Sequence, residues 1–381
     1  MTAVLVAAVM AVFVGFLVFV WHRLAVAPRW GHRWVPWVVG VVLAVLTAFV
    51  FEGFDRWGTQ FSPDTMRPVA WTGQAFFAAC LYLFLGLIPV WFASVLLWLA
   101  LWGRDHGQAA RRRLNRVASP VILAVTVCLI GYGTWEATQV SVTRYEVSSP
   151  ELPEQFDGVT VALVTDLHAG AVRSAGFTQQ VVDLVNGEEP DLVVIAGDLV
   201  DGPAGRYRQE ITPLATLRAP LGVFVTTGNH EVYADTGDWV EQFRSLGLTV
   251  LENQSEPASR GGASITIAGV NDREGKEQWA PDYDAALAAA PASGFTLLAA
   301  HQPVQAEEVQ GRGVDLQLSG HTHGGQMWPL NHLVTLQQPI IDGLHDIGDV
   351  PVLTSRGAGA WGPAVRIAAP PQVPIITLHR R

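Results

Sequence analysis

Five short apolar runs in this 381-residue chain end at residues able to bind hard or borderline metal ions. The run 161–165 leads into Asp166, Leu167 and His168. The run 192–196 leads into Gly197 and Asp198. The run 223–227 leads into Gly228, Asn229, His230 and Glu231. The run 295–300 stops at His301, and 314–319 leads into Gly320, His321, Thr322 and His323. Apolar runs of this length, rich in Val, Leu and Ile, read as buried strands. In layered α/β proteins, ligands gather at the carboxyl ends of such strands. The five segments are therefore expected to deliver Asp, Asn and His to one place, as a two-metal hydrolytic centre requires. On an extended strand end, residues i and i+2 point the same way. That alternation predicts Asp166 and His168 aimed at one ion, and His321 and His323 in one cluster. Gly197 is expected to let the backbone turn sharply before Asp198. The mixed His, Asp and Asn set suits Mn, Fe or Zn better than Mg, which prefers oxygen and water.

The elements that must position these residues follow from the spacing. Between the ligand-bearing runs lie helix-like stretches, notably 178–186 and 238–246. Strands alternating with helices predict a layered α/β domain. Residues 140–147 alternate apolar and polar, so they read as its first strand. The expected division is 1–138 as a transmembrane region and 139–381 as the soluble catalytic domain. Four stretches, near 3–21, 34–54, 74–101 and 119–137, are apolar enough to cross about 30 Å of hydrocarbon. Trp21, Trp30, Trp34, Trp37, Trp98 and Trp102 lie near their ends, as interfacial Trp tends to. The first stretch lacks a basic leader and a small-residue cleavage site, so it reads as a retained helix.

Charge divides the chain in the same way. Residues 1–140 hold ten Arg and five acids; residues 141–381 hold fourteen basic and twenty-nine acidic residues, within a net charge of −10. An acidic catalytic half argues against nucleic acid as a partner, since such binding rests on Lys and Arg at phosphates. The loops 22–33 and 102–118 carry Arg23, Arg29, Arg33, Arg104, Arg111, Arg112, Arg113 and Arg116. In the loop 55–69, Arg56 and Arg67 are offset by Asp55 and Asp64. The basic loops are expected in the cytoplasm, which puts the soluble half outside, close to the bilayer. Cys80 and Cys128 both fall in the apolar half, so no thiolate is available to the metal centre.

The ordered set resembles the calcineurin-like metallophosphoesterases over residues 139–381. The matching pieces are DLH at 166–168, GDLVD at 197–201, GNHE at 228–231, the lone His301 and GHTHGGQ at 320–326. Any one of them is weak; all five in order are specific. The GHTHGGQ form, the later TSRG and the terminal PPQVPIITL are most similar to a bacterial membrane-associated branch of that family. The resemblance implies a layered β-sandwich flanked by helices, and two divalent ions. It implies that Asp166, His168, Asp198 and His323 hold one ion. Asp198, Asn229, His301 and His321 would hold the other, with Asp198 bridging. It also implies that His230 protonates the leaving oxygen or stabilises its charge. Asp201 would pair with His230 and raise its pKa.

The expected function is a membrane-anchored phosphoesterase acting on a phosphomonoester, phosphodiester or pyrophosphate. The apolar pieces 327–330 and 360–363 point to a lipid-linked substrate; packing of the domain is their other reading. Arg173 and Arg356 suit bidentate phosphate contacts, or are ordinary loop residues. The alternative from another class is a non-enzymatic membrane receptor or scaffold with a structural metal site. The full ligand set together with His230 favours the enzyme. No acid or base within the apolar stretches marks a transport path.

Overall fold

A computed structural model describes residues 3–53, 60–104, 106–290 and 294–381. Asp55 and Arg56, from the charge reading above, lie outside them. The chain forms two compact units: Met1–Gln60 with Pro68–Gly133, and Phe61–Arg67 with Thr134–Arg381.

The first unit is helical. Its helices are α1 (Ala3–Trp21), α2 (Val35–Gly53), α3 (Pro63–Ala100) and α4 (His106–Glu136). Among the described residues, α2, α3 and α4 are long and apolar enough to cross a membrane; a shorter apolar helix spans Met10–Val26. The expected count of four spans is thus loose, with three long candidates. Helices α3 and α4 start well before their apolar runs, because polar first turns precede them. Pro63 suits the first helical position of α3, where its missing N–H costs nothing. Its 38 residues give α3 a length of about 57 Å at 1.5 Å per residue, more than a bilayer core requires. A buried polar node joins three stretches of this unit. Arg23 donates to Ser94 Oγ at 3.1 Å and to Asn115, and Ser119 donates to the Arg23 carbonyl at 2.8 Å.

The second unit is a β-sandwich flanked by helices. Its strands are β1 (Ser141–Ser149), β2 (Thr160–Val164), β3 (Ala169–Gly170), β4 (Leu192–Ala196), β5 (Val200–Asp201), β6 (Val223–Thr226), β7 (Thr249–Val250), β8 (Gln254–Arg260), β9 (Ala263–Gly269), β10 (Thr296–Ala299), β11 (Leu316–Ser319), β12 (Gly343–Ile347), β13 (Val350–Thr354) and β14 (Gln372–Arg380). One sheet runs β1-β14-β2-β4-β6-β7, the other β12-β13-β11-β10-β9-β8, and β3 with β5 forms a small ribbon. Strands β2, β4, β6 and β7 are mutually parallel, as are β9, β10, β11 and β13. The five apolar runs are β2, β4, β6, β10 and β11, so their carboxyl ends carry the expected ligands.

Side-chain alternation along the strands builds the layers. In β2, Val161 and Leu163 face the second sheet, packing in one core with Ile265, Ile267, Leu297 and Leu318. Ala162 and Val164 face the other way. There they join Val182 and Val185 of α5 (Ala175–Gly187), and Trp239 and Phe243 from the helix Thr236–Ser245. The far face of the second sheet has its own core, with Leu298, Ala306, Val309 and Val352. Strands buried on both faces explain why the runs are continuously apolar.

Candidate metal centre

Five loops leave the strand ends and meet. Asp166, His168, Asp198, Asn229, His301 and His323 are buried, and His321 is half-buried. His168 Nε2 lies 3.1 Å from His323 Nε2 and 3.7 Å from Asp198 Oδ2. His323 Nε2 is 3.4 Å from Asp166 Oδ1. On the other side, His301 Nε2 is 3.1 Å from Asp198 Oδ2, and His321 Nδ1 is 2.9 Å from Asn229 Oδ1. Donor atoms of Asp166, His168 and His323 form one compact group, and those of Asp198, His301 and His321 another. Asp198 also groups with His168 and His230, so it lies between the two.

Alternation along an extended strand does not aim these side chains. Asp166, His168, Asp198, His321 and His323 all adopt left-handed backbone, with φ of 56°, 48°, 54°, 70° and 51°. Such φ values are uncommon for residues other than Gly and cluster at functional sites. The chain has left the strand by then, and tight turns do the aiming. His321 and His323 accordingly split between the two groups. Close packing explains the glycines before them. A Cβ on Gly228 would collide with the Asp198 carboxylate, and one on Gly320 with Thr165 Oγ1 and Asp166 Oδ2.

Hydrogen bonds fix the rings and loops. His301 Nδ1 donates to the Ala196 carbonyl at 2.7 Å, which leaves Nε2 with its lone pair. That Nε2 is buried and has no hydrogen-bond partner. His168 Nδ1 donates to Asp201 Oδ1 at 3.0 Å, again freeing Nε2. A buried, orphaned imidazole nitrogen among carboxylates is what a metal ligand looks like before its ion is added. The residues present therefore fit a pair of divalent ions. Glu231 does not join them. Its carboxylate accepts the N–H groups of Asp198 at 3.0 Å, Leu199 at 2.8 Å and Gly228 at 2.6 Å, tying two of the loops together.

His230 and Asp201 stand at the mouth, both partly exposed, with Nδ1 to Oδ1 at 2.5 Å. Burial alone would lower the His230 pKa; Asp198 and Asp201 outweigh it and raise it to about 9. Burial would raise the Asp201 pKa, but the imidazoles of His168 and His230 hold it below its ordinary value. Tyr233 and Trp361, both exposed, flank the His230 ring at centroid distances of 5.5 and 6.3 Å.

The two arginines singled out as phosphate contacts are engaged elsewhere. Arg173 is buried, donates to the Ala137 carbonyl at 3.0 Å and lies over the Phe177 ring. Arg356 pairs with Asp342 at 2.7 Å and donates to the Pro370 carbonyl. Arg366 was not legible as part of the centre. Fully buried, it donates to the carbonyls of Gly359 at 2.8 Å and Ala369 at 2.9 Å, and its Nη2 lies 3.2 Å from His323 Nδ1. A single Arg inside the apolar stretch 364–369 was the available signal, since buried Arg is rare unless it is partnered.

The family model for calcineurin-like phosphoesterases matches residues 159–325, the span from β2 to the last candidate ligand loop. Transmembrane proteins with a metallophosphoesterase domain from Danio rerio and Bos taurus are 34% and 33% identical to this chain. The first match covers 68% of this chain and 62% of the relative, the second 75% and 67%. A Helicobacter pylori (strain J99) metallophosphoesterase is 34% identical over 66% of this chain and 68% of its own length. The chain belongs to the calcineurin-like phosphoesterase family.

Proposed function

We propose that this protein is a membrane-anchored, two-metal phosphoesterase whose catalytic domain, 139–381, acts outside the cytoplasm. The observation that carries the reading is the convergence of seven oxygen and nitrogen donors from five strand ends, with Asp198 between two groups and the His301 Nε2 lone pair unused. Asp166, His168, Asp198 and His323 would hold the first ion. Asp198, Asn229, His301 and His321 would hold the second. When bound, a pair of divalent ions neutralises phosphoryl charge and lowers the pKa of a nucleophilic water. Mn, Fe or Zn suits these donors.

The chain's own residues supply the rest. Asp201 holds His230 through Nδ1, which leaves Nε2 to give a proton to the leaving oxygen. The same carboxylate orients His168, so one residue serves both the acid and a metal ligand. Trp361 and Tyr233, exposed beside His230, give the mouth of the site an aromatic edge that favours a lipid-linked phosphate. Only residues 137–140 separate α4 from β1, which supports action on a substrate held at a membrane surface. A scaffold that keeps its metals for structure alone has no use for the His230–Asp201 pair.

The test is an assay of the full chain in detergent with Mn²⁺. An aryl phosphate, a bis-aryl phosphodiester, soluble nucleotides, phospholipids and a polyprenyl phosphate are compared. Metal-dependent turnover is expected, with lipid phosphates ahead of nucleotides in kcat/KM. A preference for nucleotides removes the lipid reading. No turnover of any of them with both ions bound favours the scaffold.

A further inference from the structure

We propose that Arg67 is a positioning residue for the first ion position, an inference that rests on the metal assignment above. Arg67 lies at the start of α3, outside the segment matched by the family model, yet it packs within the second unit. Its Nη1 donates to the carbonyls of Gly170 at 3.0 Å and Ala171 at 3.4 Å. Its Nη2 donates to Glu210 Oε1 at 2.8 Å and Asp64 Oδ1 at 2.9 Å. The other oxygen of Glu210 accepts the N–H of Ala175, the first residue of α5, at 2.6 Å. One guanidinium thus holds both ends of the loop 170–175.

That loop begins two residues after His168. Ala169 and Gly170 form β3, which pairs with Val200 and Asp201 of β5. The amides of His168 and Ala169 donate to the carbonyls of Asp198 and Leu199 at 3.1 and 2.9 Å. The ribbon therefore carries His168, Asp198 and Asp201 together, and Asp201 in turn orients the His168 ring. Arg67 fastens the outer strand of this ribbon from behind. Charge-assisted hydrogen bonds are the strong ones, and guanidinium geometry lets a single side chain hold two carbonyls and two carboxylates at once. Arg173 adds a second fastening, since its carbonyl accepts the Gly170 N–H at 2.9 Å while its side chain holds the Ala137 carbonyl. The second ion position shares only Asp198 with this ribbon: His301 and His321 leave strands of the other sheet, and Asn229 follows β6.

Partners behind metal ligands commonly alter metal affinity about 10–100-fold. The experiment is Mn²⁺ titration of the detergent-solubilised full chain, read by calorimetry and by electron paramagnetic resonance, with kcat followed against Mn²⁺. Wild type is expected to bind two ions. Arg67→Met should weaken the ion held by His168 by about 10-fold, the low end for a residue that does not itself touch a ligand, and weaken the other, which shares only Asp198, clearly less. Saturating Mn²⁺ should return kcat towards wild type. Arg67→Lys, which keeps one charged donor, should recover part of the affinity. Glu210→Gln should act in the same direction, and it decides the matter if Arg67→Met does not fold. Two unchanged affinities in both folded variants, or equal weakening of both ions, overturns the role of Arg67 and leaves the metal centre standing. A wild-type chain that binds fewer than two ions overturns the metal assignment and this inference with it.

Discussion

Asp201 links His168 of the candidate metal centre to His230 at its mouth. Proximity alone would admit His230 as a ligand, because its ring packs edge-on against His168 at 4.6 Å. The ion pair with Asp201 argues otherwise, since it takes Nδ1 and turns the ring to the mouth of the site. His230→Ala is therefore expected to keep both ions and to lose about 10²–10⁴-fold in kcat. The loss should shrink for leaving groups that need no proton, so a series of aryl phosphates of falling phenol pKa measures it. A variant that sheds an ion but keeps its rate per remaining ion would make His230 a ligand instead.

Among the elements, the loops after β4 and β6 depend on one buried carboxylate. Glu231 accepts three backbone N–H groups that no strand or helix ladder satisfies. Glu231→Ala strands them all, at about 1 kcal/mol or more each. Urea melts should show a loss of about 3 kcal/mol, together with weaker metal binding. A loss well under about 1 kcal/mol would mean that other groups hold these loops. The strands themselves were legible in the sequence, because residues such as Leu192–Ala196 face cores on both sides and stay apolar throughout. The candidate ligands were legible because polar residues end those runs. Their geometry was not: an extended alternation was expected at Asp166 and His168, and left-handed turns stand there instead. Turn conformation depends on contacts such as Gly320 against Asp166, which one local stretch does not reveal. The role of Arg67 and the contact of Arg366 with His323 escaped for the same reason. These partners lie far apart in the chain, as with Arg67 and the Gly170 carbonyl, and no spacing rule links them.

At the scale of the whole molecule, charge and hydropathy separate an Arg-bearing apolar half from an acidic half that carries the candidate metal centre. The Arg-rich stretches 22–33 and 102–118 favour the cytoplasm, and the 61–67 segment packs in the same unit as the catalytic strands. The proposed placement of residues 139–381 on the outer side rests on these Arg-rich stretches. Ser259 is exposed on β8 and serves as a reporter. In a Cys80→Ser, Cys128→Ser background, Ser259→Cys should react with a membrane-impermeant thiol reagent on intact cells or spheroplasts. Protection until lysis would put the domain in the cytoplasm and shift the substrate towards intracellular phosphates. A pair of ions sharing Asp198 is tested most directly by metal content per chain. The full chain, purified in detergent and loaded with Mn²⁺, should carry two ions, and Asp198→Ala should carry nearly none while remaining folded. A wild-type chain that holds at most one ion after loading would contradict the account.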